Sequence, residues 1–349
     1  MADMLENPFR RRGLPGAGRY PDSDPAGVAG LLAQCPAHRP TPLADMPGLA
    51  ARIGVAALHI KDERTRMGLG SFKALGAAHA IAAAAAEAVR DGAWDEALSG
   101  RSFIAASAGN HGLSVAAGAQ VFGAQAIIYL AETVPEAFAA RLRAKGAEVI
   151  RAGATYEDSM DAAAAAAEAG AGTLLSDSSW PGYEELPALV MEGYLHLAAE
   201  AAEQIDRPPT HVFLQAGVGG LAAAVAAHAR AVWGEDPTLI VVEPEAAPAL
   251  IESIREGQVV TTKGPVSAMG RLDCKTPSMI ALAGLARDAD LFVTISEAEA
   301  DRAVEALNEH GVATTPSGAA GVAAALAGRP ALGSEARILA IVSEGPEDG

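Results

Sequence analysis

The sequence predicts an α/β protein with two parallel-sheet units, helices on both faces of each sheet, and a cleft between the units. From about residue 43 onward, short runs rich in Val, Ile, Leu and Phe alternate with longer alanine-rich stretches. Parallel strands need crossover connections, which are usually helical, so this alternation indicates parallel sheets. The predicted strands are 57–60, 103–106, 126–130, 148–151, 212–215, 239–242, 291–295 and 338–342, and the predicted helices include 74–90, 135–144, 157–168, 184–203 and 297–310.

Composition and strand spacing divide the chain into three parts. Residues 1–42 are rich in proline and glycine, and we expect a loosely wrapped N-terminal arm there. Three strand–helix pairs between residues 103 and 176 indicate a smaller unit inserted into a larger one. We therefore predict a large domain of residues 43–85 plus 177–349 and a small domain of residues 86–176. Ligands of such sheets bind at the carboxyl ends of the strands.

Composition and charge exclude several kinds of partner. The chain has 349 residues and a formal net charge of −17, from 26 basic and 43 acidic residues. Nucleic-acid surfaces need clustered Lys and Arg, so we expect no nucleic-acid partner. No apolar run reaches the roughly 20 residues of a membrane span, and we expect no membrane association. The two cysteines, Cys35 and Cys274, are far apart in sequence, which favours a reducing, cytoplasmic location.

The first candidate site is the segment GLGSFKALG at 68–76, a glycine-rich turn that opens an apolar helix. Lys73 would then lie near a helix N-terminus in apolar surroundings. Both the helix dipole and burial disfavour a charged amine, so we expect Lys73 to have a lowered pKa and to be nucleophilic. The alternative is a surface lysine whose stem covers apolar neighbours.

The second candidate site is the loop SAGNHG at 107–112, which follows the predicted strand 103–106 and precedes a helix. Small residues at such a junction expose backbone N–H groups that suit a carboxylate. The Asn110 amide can bond a ring oxygen. His111 could serve as an acid or base, but we favour a structural role for it.

The third candidate site is the turn QAGVGGL at 215–221, again between a predicted strand and a helix. Glycines allow close backbone approach, and the helix start supplies positive potential, so the turn suits a phosphate group. No Lys-Ser/Thr pair follows, and the spacing differs from the dinucleotide fingerprint. The alternative is a tight turn that serves packing alone.

The fourth candidate site is TTPSGAAG at 314–321, in which Ser317 has the character of a helix N-cap. Its hydroxyl equally suits a contact to a ring nitrogen. Each of the four segments is a modest signal by itself. Together, and in this order, they are specific.

The segments GSFKALGA, SAGNHG, AGVGGL and TPSGAAG resemble the tryptophan-synthase-like group of pyridoxal 5′-phosphate (PLP) enzymes, known as fold type II. This group includes serine and threonine dehydratases and serine racemases. The resemblance extends from about Pro42 to the end of the chain. It implies PLP in the cleft between the two parallel-sheet domains, a small amino-acid substrate, and an oligomer that we expect to be a homodimer.

The resemblance assigns cofactor contacts to the four segments. Lys73, preceded by Phe72, would hold PLP covalently and move the substrate's α-proton, and Asn110 would bond the 3′ oxygen of the ring. Ser317 would face the pyridine nitrogen, and a neutral hydroxyl there favours elimination over transamination. The phosphate would bind the glycine turn, formed by Gly217, Val218, Gly219, Gly220 and Leu221.

The resemblance also assigns residues to the substrate. Asp177, just ahead of Trp180, matches an acidic residue with a role in acid/base work on the substrate. If Asp177 is buried beside Trp180, desolvation raises its pKa and suits it to act as an acid. The alternative is a turn residue that leads into a helix. The substrate carboxylate would be held by the loop residues Ser107, Ala108, Gly109 and His111.

Further segments are similar to diaminopropionate ammonia-lyase, a family that converts 2,3-diaminopropionate into pyruvate and two ammonia molecules. They are KDE at 61–63, WPGYE at 180–184, THVFLQAGVG at 210–219 and SEG at 343–345. One departure is Ala108, where this family has an Asp that is linked to handling the second enantiomer. Serine and threonine dehydratases have alanine there. The sequence therefore predicts a PLP-dependent ammonia-lyase, and Ala108 argues against activity on both enantiomers.

Several alternatives stay open at this point. A serine/threonine or 3-hydroxyaspartate dehydratase would expel a hydroxyl group, which an alanine-lined loop favours. A β-replacement synthase uses the same cofactor contacts but needs a second nucleophile. A PLP-binding protein without turnover belongs to a different class. No cluster of His, Cys, Asp and Glu stands out at ligand spacing, so we expect no metal.

Overall fold

The computed structural model describes residues 3–346, which form two sheets flanked by helices. The predicted α/β fold with parallel sheets is confirmed. The strands are β1 (Met4–Glu6), β2 (Leu43–Asp45), β3 (Ala57–Asp62), β4 (Ser102–Ala106), β5 (Gln125–Leu130), β6 (Glu148–Arg151), β7 (Thr173–Leu174), β8 (His211–Gln215), β9 (Thr238–Pro244), β10 (Leu291–Ile295) and β11 (Arg337–Val342).

The helices are mostly alanine-rich, which suits both helix propensity and close packing. Two 3₁₀ segments, Glu63–Gly68 and Trp94–Glu96, accompany them. None of the helices between residues 3 and 346 is long and apolar enough to span a membrane. The α-helices are α1 (Ala26–Leu32), α2 (Pro47–Ile53), α3 (Lys73–Ala88), α4 (Asn110–Val121), α5 (Glu136–Ala144), α6 (Tyr156–Glu168), α7 (Glu185–Gln204), α8 (Gly220–Trp233), α9 (Ala249–Glu256), α10 (Met279–Asp288), α11 (Glu297–Asn308) and α12 (Pro316–Leu326).

The larger sheet has seven strands in the order β1-β10-β9-β8-β11-β3-β2. Its five inner strands are parallel, and the two outer strands, β1 and β2, are antiparallel to their neighbours. The inner strands are almost fully buried, as expected for a parallel sheet covered by helices on both faces. The carboxyl ends of β8, β11 and β3 therefore lie side by side at one edge.

The smaller sheet has four parallel strands in the order β6-β5-β4-β7. All four lie between residues 102 and 174, whereas the larger sheet uses strands before and after that stretch. The carboxyl ends of β4 and β7 are adjacent in this sheet. The exact limits that we set for the small domain, residues 86 and 176, stay a prediction.

All eight predicted strands are present, with ends shifted by at most two residues. The three strands that the sequence did not indicate, β1, β2 and β7, are two or three residues long and lie at sheet edges. The segment before Pro42 is also more regular than its composition indicated. It contributes β1, paired with β10, and helix α1, whose Val28 and Leu32 are buried. The expected loosely wrapped arm is corrected accordingly.

Helix α3, which begins at Lys73, packs closely against α7. A Cβ atom at Gly193 would lie 2.5 Å from the carbonyl oxygen of Leu75, and one at Gly76 would lie 2.7 Å from the Tyr194 ring. Any side chain at either glycine would push the two helices apart. Close packing therefore holds the start of α3 in place from one side.

A buried ion network ties the chain just ahead of α3 to the same helix, α7. The network contains three fully buried residues, Lys61 near the end of β3 and Glu63 and Arg66 in the 3₁₀ segment that follows. Glu200 on α7 accepts hydrogen bonds from Lys61 Nζ at 2.6 Å and from both terminal nitrogens of Arg66, at 2.9 and 2.7 Å. Arg66 also pairs with Glu63 at 2.7 Å. The network fixes the chain just before the glycine turn that leads to Lys73.

Two histidines extend the network toward the surface. His196 lies 3.0 Å from Glu200, and the rings of His196 and His38 meet edge to face with centroids 4.7 Å apart. The ligand atoms of His38, His196 and Glu200 lie within 4.8 Å of one another. Lys61 and Arg66 already surround the Glu200 carboxylate, and two cations oppose the approach of a third positive charge. We therefore assign this cluster to the ion network.

Candidate active site

Lys73 is the first residue of α3 and follows the turn that comes after β3. Its Nζ contacts the carboxylate of Asp177, and the two side chains are 21% and 20% exposed. Burial lowers the pKa of the Lys73 amine. The charge of Asp177, its hydrogen bond and the nearby Tyr194 and Cys274 together outweigh burial, so the net pKa lies above its ordinary value. The predicted lowering of this pKa is therefore wrong. The Lys73 side chain does lie partly buried, as predicted.

Asp177 lies beyond β7, in the loop that leads to α7. Burial raises the pKa of its carboxyl, but Lys73 and, to a smaller extent, His111 lower it by more, so the net pKa lies below its usual range. The predicted raised pKa is corrected for the same reason as that of Lys73. Trp180, the expected neighbour, stacks on Tyr183 with ring centroids 4.4 Å apart.

The glycine turn lies beside this ion pair. It connects β8 to α8, and Gly219 has a φ of +98°, which favours glycine. A Cβ atom at Gly220 would lie 4.0 Å from the carbonyl oxygen of Asp177, and one at Gly217 would lie 2.9 Å from Cys274 Sγ. The first N–H groups of α8 have no partner within the helix. The turn therefore fits a phosphate group close to Lys73 and Asp177.

Two residues of the glycine turn, Val218 and Leu221, are fixed by contacts outside the turn. The carbonyl oxygen of Val218 accepts a hydrogen bond from the backbone N–H of Ser278 at 3.0 Å. Leu221 is only 5% exposed and belongs to the main apolar core. The cradle is thus anchored to the segment ahead of α10.

The loop after β4 brings Asn110 and His111 to the same cleft. Ser107 Oγ accepts from the N–H groups of Gly109 and Gly112, at 3.2 and 3.0 Å, and so shapes the loop. The carbonyl oxygen of Ala108 accepts from Arg271 at 3.2 Å. Two of the N–H groups expected to face a carboxylate are thus engaged by Ser107.

His111 is buried and bonds the carbonyl oxygen of Leu175 through Nε2 at 2.8 Å. Because a carbonyl oxygen only accepts, Nε2 carries the proton. Burial is the main cause that lowers the pKa of the His111 ring. This contact ties the start of α4 to the strand that precedes Asp177, which fits the structural role that we favoured.

Ser317 lies in the first turn of α12 and is buried. The N-cap of this helix is Thr315, whose Oγ1 accepts from the Gly318 N–H at 3.0 Å, so the expectation that Ser317 is the cap is corrected. Pro316 is the first helical residue, where its missing N–H is not needed. Ser317 Oγ accepts from the backbone N–H of Arg271 at 3.1 Å, which leaves its own proton for another acceptor.

Two further residues were not singled out from the sequence. Tyr194 is 1% exposed, packs edge to face on Phe72 with ring centroids 4.9 Å apart, and has a pKa raised by burial. Glu344, just beyond β11, bonds the side chains of Asn110 and Thr315. The segment SEG at 343–345 was noted only as a resemblance, and no local pattern marks Tyr194.

Comparison with known proteins identifies the class. Residues 35–344 match the family of pyridoxal-phosphate dependent enzymes. This match covers most of the chain, so the protein belongs to this family. The residues described above fit the cofactor: Lys73 would hold it, the glycine turn would take its phosphate, and Asn110 and Ser317 would face its ring.

Individual relatives within this family indicate which reaction the chain's relatives catalyse. The chain is 32% identical to diaminopropionate ammonia-lyase of Escherichia coli strain K12 over 343 residues, covering 89% of this chain and 85% of the relative. A crystal structure of diaminopropionate ammonia-lyase from Escherichia coli in complex with D-serine has a TM-score of 0.88 at 30% identity, over 100% of this chain and 95% of that one. A serine dehydratase-like protein of Rattus norvegicus is 27% identical, covering 86% of this chain and 87% of the relative.

Proposed function

We propose that this protein is a PLP-dependent ammonia-lyase that performs α,β-elimination on 2,3-diaminopropionate. Elimination releases one ammonia, and hydrolysis of the enamine product by one water gives pyruvate and the second ammonia. The observation that carries the proposal is the pairing of Lys73 with Asp177 next to a glycine turn that fits a phosphate. The likeness to the Escherichia coli ammonia-lyase over nearly its whole length supports this choice of substrate.

Lys73 is the residue that exchanges the substrate's α-proton. PLP, when bound, supplies an electron sink that stabilises negative charge at the α-carbon. Lys73 Nζ must be uncharged to accept the proton, so it first gives up the proton that the Asp177 pairing holds on it. The contact between Nζ and the carboxylate provides the acceptor for that proton.

Asp177 is the residue that protonates the departing β-group. Its pKa is low chiefly because of the positive charge of Lys73, which also donates a hydrogen bond to it. When Lys73 gives up its ammonium charge, that cause is lost, and burial then raises the pKa of the carboxyl. Asp177 can therefore hold a proton in one state of the site and release it to a leaving amine in the next.

Ala108 favours a second class of candidate substrate, the β-hydroxy amino acids. The family resemblance places an acid at this position in the diaminopropionate enzymes, and alanine in serine and threonine dehydratases. A hydroxyl leaving group, as in serine, threonine or 3-hydroxyaspartate, also needs one proton, which Asp177 can give. The cleft thus suits a dehydratase with the same catalytic residues.

The stoichiometry of a coupled assay separates these functions. Pyruvate or another 2-keto acid and ammonia are measured together for 2,3-diaminopropionate, serine, threonine and 3-hydroxyaspartate, each as separate enantiomers. Diaminopropionate should give two ammonia molecules for each keto acid, whereas a hydroxy amino acid gives one. We expect the highest kcat/KM for one enantiomer of diaminopropionate.

The same assay, applied to a variant at Ala108, tests the predicted preference for one enantiomer. We expect the wild-type protein to prefer one diaminopropionate enantiomer by about 10²-fold or more, the usual effect of lacking a base. Ala108→Asp should raise turnover of the other enantiomer. Equal rates for both enantiomers in the wild type would defeat the inference from Ala108, and no keto acid from any substrate would defeat the proposed function.

A cytoplasmic location and a homodimer complete the proposal. Cys35 and Cys274 are both free thiols in the structure, which fits a reducing compartment. Two-fold homodimers are the commonest soluble oligomers. Sedimentation of the PLP-loaded protein tests the dimer directly.

A further inference from the structure

Glu344 connects the segments that surround the predicted cofactor ring. It is 4% exposed and follows β11, whose carboxyl end lies between those of β8 and β3. One carboxylate oxygen accepts from Asn110 Nδ2 at 2.5 Å, and the other accepts from Thr315 Oγ1 at 2.5 Å. Its side chain thus joins the loop after β4, in the small sheet, to the start of α12.

The backbone around Glu344 adds a third connection. The carbonyl oxygen of Ser343 accepts from the Phe72 N–H at 3.1 Å, and the Gly345 N–H donates to Gly70 at 2.9 Å. These bonds hold the turn that carries Lys73. Three of the four segments predicted to contact the cofactor are therefore tied to one short stretch of chain, and two of them depend on a single carboxylate.

We infer that Glu344 is a positioning residue that sets the orientation of the Asn110 amide toward the cofactor ring. A carboxylate only accepts hydrogen bonds, so Asn110 must turn its NH₂ group, and not its oxygen, toward Glu344. That NH₂ group has two hydrogens, and Glu344 takes one of them. The second hydrogen stays available for the 3′ oxygen of PLP, the acceptor that Asn110 is predicted to bond.

The charge of Glu344 strengthens this effect. A hydrogen bond to an ionised acceptor is about twice as strong as one between neutral groups, and burial strengthens it further. A glutamine at this position would have nearly the same shape but could offer either an acceptor or a donor. The Asn110 amide could then turn over and present its oxygen to the 3′ oxygen, which repels it.

The inference rests on PLP binding, which the proposed function shares, but not on the identity of the substrate.

The test compares wild-type, Glu344→Gln and Asn110→Ala proteins with the double variant. It measures PLP affinity of the apo-proteins and the visible spectrum of the bound cofactor as a function of pH. We expect Glu344→Gln to weaken PLP binding about tenfold, the effect of one hydrogen bond near 1.4 kcal/mol, and to shift the pH titration of the spectrum.

The double variant decides whether Glu344 acts through Asn110. If it does, Glu344→Gln adds little to the loss already caused by Asn110→Ala, because the two losses are not additive. Additive losses would overturn the inference. So would a Glu344→Gln protein with wild-type affinity and an unchanged spectrum. If the wild-type protein itself does not bind PLP, the proposed function fails instead.

Two more variants separate positioning from simple loss of structure. Thr314→Val removes a hydrogen bond to the backbone carbonyl of Glu344 but leaves its carboxylate in place. We expect this control to lower the melting temperature of the apo-protein without shifting the spectrum. Should Glu344→Gln fail to fold, Glu344→Asp keeps the charge but shortens the reach, and should produce the same spectral shift. Wild-type affinity and spectrum in the aspartate variant would overturn the inference.

Discussion

Replacing Asp177 by asparagine is expected to lower kcat by about 10²–10⁴-fold, the range for losing a general acid or base. Asparagine fills the same space but cannot take or give the proton that Lys73 and the leaving group exchange. Steady-state kinetics with the substrate that performs best in the panel measures the loss. PLP affinity should change little, because the cradle at Gly217 and Gly219 is unaltered.

Asp177→Asn also tests the ion pair in an experiment that does not require catalysis. In the wild type, the Asp177 charge holds the pKa of the Lys73 amine above its ordinary value. Without that charge, burial becomes the dominant influence and the pKa of Lys73 should fall, so more of the amine is uncharged at neutral pH. An amine-selective reagent should then label Lys73 of the apo-protein faster in Asp177→Asn than in wild type. Turnover within a few-fold of the wild type would remove Asp177 from the mechanism.

Replacing Glu200 by alanine is expected to lower the free energy of unfolding by about 3–5 kcal/mol, the cost of breaking a buried ion pair from one side. Lys61 and Arg66 are both fully buried and would lose the carboxylate that they share. Urea titration of the apo-protein measures the change. Because this network holds the turn ahead of Lys73, PLP affinity should fall as well.

Glu203 provides the matched control for Glu200. It lies on the same helix, α7, but is exposed. Glu203→Ala should change the free energy of unfolding by no more than about 0.5 kcal/mol. Equal and small effects of the two substitutions would contradict a stabilising role for the network.

Local pattern was sufficient to predict most of the strands and the loops that follow β4 and β8. The inner strands are continuous apolar runs between glycine-rich turns, and this signal is strong in a parallel sheet. The edge strands β1, β2 and β7 are too short to show any periodicity. Two of the predicted site segments, 107–112 and 215–221, directly follow β4 and β8, as is typical of sheets of this type, whereas 314–321 follows helix α11.

Local pattern could not predict the electrostatics of the site. Lys73 and Asp177 are separated by 104 residues, and their contact depends on how the two sheets pack together. Reasoning from burial and the helix dipole alone therefore gave the wrong direction for both pKa values. Ser317 was misread for a local reason, because Pro316 places the cap at Thr315. Glu344 and Glu200 act through partners distant in sequence; the resemblance marked Glu344 only as part of SEG at 343–345, and no motif marks Glu200.

Reduction with borohydride in the presence of PLP tests the central claim most directly. After reduction and digestion, mass spectrometry of the wild-type protein should find one cofactor per chain, attached to Lys73. Lys73→Ala should lose both the attachment and the absorbance of the bound cofactor. The exposed Lys263 serves as a control, since Lys263→Ala should retain full labelling at Lys73. Full labelling of the Lys73→Ala protein, or a cofactor found on another lysine of the wild type, would contradict the account.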